Sequence, residues 1–376
     1  MQGLRKMIPI NQPIIGEEEI ELVKKVLKSG LLTEKSGCGY YVSQFEDAFA
    51  KYVGSKYAVA MSSGTAALHA SLMAVGLRAG DEVVMPSFTF VAAAEATIFA
   101  GGIPIFADID PDTYCVNPES VEDQISSKTK AIIPVHLYGL SADMNPILKL
   151  AREHDFVVIE DAAQALGAEY KGKRAGSIGD IACFSFYATK NITTGEGGMV
   201  TTNNAEYAEI LQEIRNHGEQ KEYSSVRLGH NYRMPEVAAA IGLSQLSNLP
   251  RFLEARRKNA EILGERLSGL EKLGLPVEPY DRKHSWYVYT VRLKKSNVGK
   301  RNKLVAKLRS KRIGVAVYYP VPIHMMPYYK ERYAYSKKVL KETMTATRQV
   351  FSLPVHPKIT EGDLDFIATT LAEALK

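Results

Sequence analysis

Apolar positions change rhythm twice along this chain. Between residues 16 and 30, Ile20, Val23 and Leu27 recur at helical spacing, which predicts an amphipathic helix with one apolar stripe. Glu17, Glu18 and Glu19 in its first turn, Lys24, Lys25 and Lys28 toward its end and Gly30 beyond it complement the helix dipole. A second helical pattern runs from about Ser43 to Tyr52. From Tyr57 onward, short apolar runs alternate with helical stretches. Runs at 58–61, 81–85, 103–107, 131–135 and 156–159 predict strands, and 66–75, 118–125 and 145–154 predict the helices between them. This alternation predicts an α/β fold with a mostly parallel sheet covered by helices on both faces. Ligands in such sheets gather at the carboxyl ends of the strands.

The second change follows a long helical region, Pro235 to about Leu273, which the pattern predicts to be interrupted at Pro250. Trp286–Leu293 and Val315–Tyr319 then read as strands and Asn302–Lys311 as a basic helix. Thr360-Glu-Gly-Asp363 reads as a capping box that opens a last helix to Leu375. With 376 residues, the chain exceeds the roughly 250–300 at which a single core stops growing. We therefore expect a large domain over 1–249 and a smaller α+β C-terminal domain over 250–376.

Charge and cysteine content narrow the class. A net charge of +5, with no long basic block, suits anionic small molecules better than nucleic acid. The three cysteines, Cys38, Cys115 and Cys183, are odd in number and form no C-x-x-C pair, which points to a reduced, cytoplasmic compartment. The stretch Met1–Pro9 lacks the apolar core of a signal peptide. The longest uncharged run, Tyr57–Leu77, is broken by Ser62, Ser63, Gly64, Thr65 and His69, so it reads as buried strand, turn and helix with no membrane span.

Candidate chemistry centres on Phe184–Met199, where Lys190 follows a β-prone run and precedes Gly195, Gly197 and Gly198. A lysine amine becomes neutral and nucleophilic near pH 7 when it is desolvated or close to other positive charge. Ile181, Phe184 and Phe186 supply apolar surroundings, and the glycines leave room for a flat ring, so Lys190 is a candidate to hold pyridoxal phosphate (PLP) as a Schiff base. Ser62–Leu68 offers backbone N–H groups at a helix start beside Gly64 and Thr65, a phosphate site. Asp161 closes the strand run at 156–161 and could keep a pyridine nitrogen protonated, with Gln164 in reach of the ring's 3-oxygen. Phe90, in Pro86-Ser-Phe-Thr-Phe90, could stack on such a ring. Each residue alone has a plainer explanation: a surface lysine, a helix N-cap aspartate, a core phenylalanine. Metal chemistry finds no support, because Asp108–Asp112 lacks the glycine and the glutamate of a calcium loop and no H-E-x-x-H occurs.

Taken together, the stretches resemble the DegT/DnrJ-type sugar aminotransferases, a branch of the fold type I (aspartate-aminotransferase-like) PLP enzymes. The likeness runs through Gly16–Glu19, Ser63–Leu68, Pro86–Phe90, Glu160–Gln164, Phe184–Phe186, Lys190, Gly195–Gly198, Gly229–Met234, Tyr319–His324 and Ser352–His356. It implies a seven-stranded type of sheet, Lys190 as the Schiff-base lysine, Asp161 on the pyridinium nitrogen and Gln164 on the 3-oxygen. Phe90 becomes the stacking ring, and Gly64, Thr65 and Ser185 the phosphate clamp. By the same resemblance Asn231 reaches the phosphate from a second subunit of a homodimer, while Tyr319 and His324 line the sugar pocket. Relatives with histidine at the position of Lys190 dehydrate deoxysugars, so the lysine implies transamination, with L-glutamate as donor and a nucleotide-linked keto-deoxysugar as acceptor. A cyclitol ketone as acceptor, or a regulatory protein without turnover, are the other readings. Gly37–Tyr41 lacks the family's usual Gly-Pro pair, and Met325-Met326 follows His324 where a glutamine is common. Both departures bear on the identity of the sugar.

Overall fold

The structure, a computed structural model, describes residues 6–333 and 340–376. The start of the Met1–Pro9 stretch lies outside the described residues. In chain order the first strands are β1 (Tyr57–Met61), β2 (Glu82–Pro86), β3 (Ile103–Ala107), β4 (Thr129–Ile132) and β5 (Val157–Asp161). The short hairpin β6 (Glu169–Tyr170) and β7 (Lys173–Arg174) follows, then β8 (Ile181–Ser185) and β9 (Gly198–Thr202). Seven of these make one sheet in the order β1-β9-β8-β5-β4-β2-β3. Its members from β8 to β3 are parallel, and β9 alone runs antiparallel to both its neighbours. Val83, Val84 and Met85 are all buried, as a strand covered on both faces requires.

The helices of this part are α1 (Glu17–Ser29), α2 (Tyr40–Val53), α3 (Gly64–Ala74), α4 (Ala92–Phe99), α5 (Pro118–Glu122), α6 (Met144–His154), α7 (Ala205–Arg215) and α8 (Glu236–Leu267). Small side chains dominate α3, and Ala66, Ala67 and Ala70 let it lie close against β8, β9 and α4. That closeness presses its first turn against the end of β8.

Past α7 come the hairpin β10 (Glu219–Lys221) and β11 (Ser224–Ser225), then β12 (Leu273–Gly274), β13 (Arg282–Lys283), β14 (Tyr289–Leu293) and β15 (Val350–Leu353). Strands β12, β14 and β15 form a three-stranded antiparallel sheet. It is accompanied by α9 (Val298–Ser310), α10 (Pro327–Tyr333), α11 (Lys341–Gln349) and α12 (Glu361–Leu375). Thr360 and Asp363 do form the capping box that opens α12.

Two expectations fail. The helix is not interrupted at Pro250: α8 passes through it unbroken, with the ring on the exposed face. An interior proline costs a helix roughly 3 kcal/mol, and packing of α8 against α1, α2 and α12 outweighs that. The 249/250 boundary thus falls inside one helix. Val315–Tyr319 is no strand either. It meets Ser352 through a single bridge at Ala316, then turns so that the Tyr318 carbonyl accepts from the Tyr138 hydroxyl and the Tyr319 hydroxyl meets Gln164. Side-chain bonds to the large sheet override the local β preference.

Candidate active site

Lys190 lies in the loop that leaves β8, its N–H bonded to the Tyr187 carbonyl at 2.8 Å. The residue is only partly exposed, and its amine sits 4.8 Å from the centroid of the Tyr287 ring. Burial pulls its pKa down to about 8, with the Asp161 carboxylate working the other way. At pH 7 a pKa near 8 leaves roughly a tenth of the amine neutral, against about 0.03 % at the ordinary lysine value.

Asp161 ends β5, the strand beside β8, and is paired in register with Cys183. Its Oδ1 accepts from the Ala163 N–H at 3.1 Å. Burial raises its pKa, opposed by that N–H, by Lys190 and by His136. Glu160, the preceding acid, faces the other way, because successive strand side chains alternate. It is 0 % exposed and accepts from His136 Nε2 at 2.8 Å, Gly176 N at 2.9 Å, Ile178 N at 2.8 Å and Gly179 N at 2.7 Å. His136 Nδ1 accepts from the Ala142 N–H at 3.0 Å, which assigns the ring proton to Nε2. One acid is structural and its neighbour is left to the site.

Gln164 is held at both ends: its Oε1 accepts from Tyr138 N at 2.9 Å and its Nε2 donates to the Tyr319 hydroxyl at 2.9 Å. The Phe90 ring stands 6.3 Å from that of Tyr319 and is 57 % exposed, whereas Phe88 is fully buried. Phe88 is therefore the core residue of this pair and Phe90 the free face. His324 is buried, its Nδ1 lying 2.7 Å from Ser87 Oγ, and burial lowers its pKa.

At the start of α3, Ser63 Oγ accepts from Ala66 N at 3.0 Å and the Ser63 carbonyl from Ala67 N at 3.0 Å. The N–H groups of Gly64 and Thr65 are the ones that remain for an anion. A Cβ built on Gly64 would stand 2.9 Å from Ser185 Cβ, so only glycine permits this approach. Gly64→Ala should accordingly weaken binding of a phosphorylated cofactor about tenfold or more, read as its Kd by absorbance titration, since overpacking costs about 1–3 kcal/mol.

Asn231 stands apart. It is exposed and paired by a bridge to Asn216, and no hydrogen bond among the described residues joins it to Lys190, Asp161, Gln164 or Ser185. Two clefts, of about 780 Å³ and 500 Å³, open beside its segment and away from Lys190; the larger includes Cys38 and Asn216, the smaller His69, Phe99, Leu228 and His230. Sequence reasoning missed Tyr287, Thr189, Asn11 and Arg256 beside the lysine, Tyr138 on Gln164, and the His136–Glu160 pair behind Asp161. Only Glu160 carried a signal, as the second acid at a strand end. Among the described residues no group of His, Cys, Asp or Glu could hold a metal ion, and no helix is long and apolar enough to cross a membrane.

A desolvated lysine beside a buried acid, set at the carboxyl end of a mostly parallel sheet, is the equipment of an aminotransferase, and comparison with known proteins places the chain in that class. It belongs to the DegT/DnrJ/EryC1/StrS aminotransferase family, whose model matches residues 13–372. It is 39 % identical over 345 residues to the GDP-perosamine synthase of Caulobacter vibrioides, covering 90 % of this chain and 91 % of that one. Among solved structures it resembles S. venezuelae DesV, captured with a ketimine intermediate, at a TM-score of 0.90 and 35 % identity, covering 96 % and 95 % of the two chains. It also matches the PLP form of Spr1654 from Streptococcus pneumoniae, at a TM-score of 0.91 and 27 % identity, covering 98 % and 99 %.

Proposed function

We propose that this enzyme transfers an amino group from L-glutamate to the keto group of a nucleotide-linked deoxysugar, using pyridoxal 5′-phosphate held by Lys190. The observation that carries the reading is the coupling of Lys190, lowered to about pKa 8, with Asp161 on the adjoining strand. GDP-perosamine synthase, by its name, makes a nucleotide-linked sugar, and that likeness supports the acceptor class.

The residues present fit the cofactor. Gly64 keeps open the contact between the first turn of α3 and Ser185 that an added Cβ would fill, and the half-exposed Phe90 offers a flat face. The Gly64 and Thr65 N–H groups and the Ser185 hydroxyl would hold the phosphate, and Asp161 the ring nitrogen. Gln164, with one amide N–H on Tyr319, has its second for the ring's 3-oxygen. When bound, the cofactor supplies an electron sink for negative charge at the donor's α-carbon. Besides holding the cofactor, Lys190 would be the base that carries the donor's α-proton. Its lowered pKa suits both roles, because a base works best when its pKa lies near the operating pH. Tyr319 and His324 are assigned to the acceptor side.

Asn231 is assigned to the phosphate of a second copy, which makes the working unit a homodimer. Exposed Leu228 and Phe99, at 76 % and 69 %, flank the smaller cleft beside its segment and would be covered in that assembly. The division at 249/250 and a cytoplasmic location belong to the same reading, the latter supported by free Cys38, Cys115 and Cys183.

The test is optical. Purified protein carrying its cofactor should be yellow, bleach on addition of L-glutamate, and recover its colour with a nucleotide ketosugar. Colour that persists with glutamate would favour the regulatory reading. Recovery with keto-inositol alone would replace the sugar by a cyclitol.

A further inference from the structure

We infer that Asn11, Arg256 and Tyr287 form a clamp that positions Lys190 by gripping the residue before it, Thr189, at both its carbonyl and its hydroxyl. The inference rests on the proposed role of Lys190 and adds three positioning residues to it. Asn11 Nδ2 donates to the Thr189 carbonyl, and the Tyr287 hydroxyl lies 2.9 Å from Thr189 Oγ1. Both jaws hang on one guanidinium. Arg256 donates to Asn11 Oδ1 at 3.1 Å, to the Tyr287 carbonyl at 3.1 Å and to the Trp286 carbonyl at 3.2 Å.

Three features set this arrangement apart from ordinary core packing. First, Arg256 is 2 % exposed, is held by neutral oxygens with no carboxylate ion pair among the described residues, and its Nε lacks a partner. A buried charge without a counter-charge is destabilising, and an apolar side chain would fill the same place at less cost. What the guanidinium does, and an apolar residue could not, is fix two distant segments against a third. Second, Tyr287 serves twice: its hydroxyl meets Thr189 while its ring lies under the Lys190 amine, 4.8 Å from the centroid. Third, the residue after the lysine is anchored as well. Asn191 Nδ2 donates to the carbonyls of Leu166 and Ser285 at 3.1 and 3.3 Å.

Lys190 therefore springs from a backbone pinned on each side, with an aromatic floor beneath its flexible stem. A lysine stem has four rotatable carbons, and misplacing a reacting group by about 1 Å can cost roughly 100-fold in rate. The clamp fixes the point from which that stem starts before any ligand arrives.

The test uses the full chain freed of cofactor and the aldehyde pyridoxal, which lacks a phosphate and so does not depend on the α3 site. Pyridoxal is added with cyanoborohydride, and labelling at Lys190 is timed by peptide mass at several pH values. In the native chain the Lys190 rate should rise through pH 8 and level off, while surface lysines keep rising. Asn11→Ala and Tyr287→Phe, the latter keeping the ring, should each slow Lys190 at least fivefold at pH 8 without changing the rates of surface lysines. A merely structural role would lower the melting temperature and leave the Lys190 rate of the folded protein untouched. Native rates in both variants would overturn the clamp. If one variant fails to fold, the other decides. A native chain whose Lys190 labels no faster than surface lysines would instead overturn the proposed role of Lys190, and the clamp with it.

Discussion

Lys190→Ala should lower amino transfer by on the order of 10⁴-fold while the protein keeps its fold. Both of its assigned tasks vanish together: the amine that binds the aldehyde, and the base that moves the proton. No neighbour can substitute. Among the described residues, the other groups facing the amine are the Tyr287 ring and the Asp161 carboxylate, and the latter is assigned to the ring nitrogen. Lys190→Arg should be as inactive, because a guanidinium stays charged at any pH the fold survives and cannot attack a carbonyl. Fold retention follows from the electrostatics. Removing the side chain relieves the burial that pulls the lysine pKa down and simultaneously deprives Asp161 of an attractive charge, so the two changes oppose each other. Circular dichroism and melting should stay near native, and turnover is measured with glutamate and the acceptor. Native turnover in the alanine variant would end the assignment.

Much of this site was legible because its residues sit at the ends of strands that announce themselves. The runs at 58–61, 83–85, 103–107 and 156–159 carry no charged residue, and each matches a strand to within two residues at either end. Strand β9 was not read. It opens on Gly198, just past Gly195 and Gly197, and its antiparallel place between β1 and β8 is fixed by pairing across the sheet, which local pattern does not encode. The Phe88 and Phe90 pair was decided by geometry: both follow β2, and only the fold says which ring is core. Asn11 lies 178 residues from the carbonyl it grips, so nothing in its surroundings marked it. Asn231, placed by resemblance alone, pairs with Asn216, and among the described residues no hydrogen bond joins it to Lys190, Asp161, Gln164 or Ser185.

Glu160 shows the limit most sharply, since the sequence offered two adjacent acids and only one was given a role. Glu160→Ala should destabilise the protein by about 3–5 kcal/mol, the usual cost of breaking a buried ionic group from its partners. Glu160→Gln should be nearly as harmful, although it keeps the shape. The carboxylate takes two donors on each oxygen: His136 Nε2 and Gly176 N on Oε2, Ile178 N and Gly179 N on Oε1. Whichever way the amide is turned, its NH₂ confronts two N–H groups that have lost their acceptor. The pH dependence has a definite sign. Burial pushes the Glu160 pKa up, but the His136 contact and the Gly179 and Gly176 N–H groups outweigh it and hold the carboxyl below its ordinary 4.5. Its stabilising contribution is therefore complete above about pH 4.5 and is lost as pH falls through the lower folded value. Urea melts at pH 7 should separate native from variant widely, and the gap should shrink at pH 3.5. The consequence reaches the chemistry, because these bonds tie residues 176–179 to β5, the strand whose next residue is Asp161. Both variants should hold the cofactor more weakly, and equal urea midpoints for native and variant protein at pH 7 would show that the pair carries no such load.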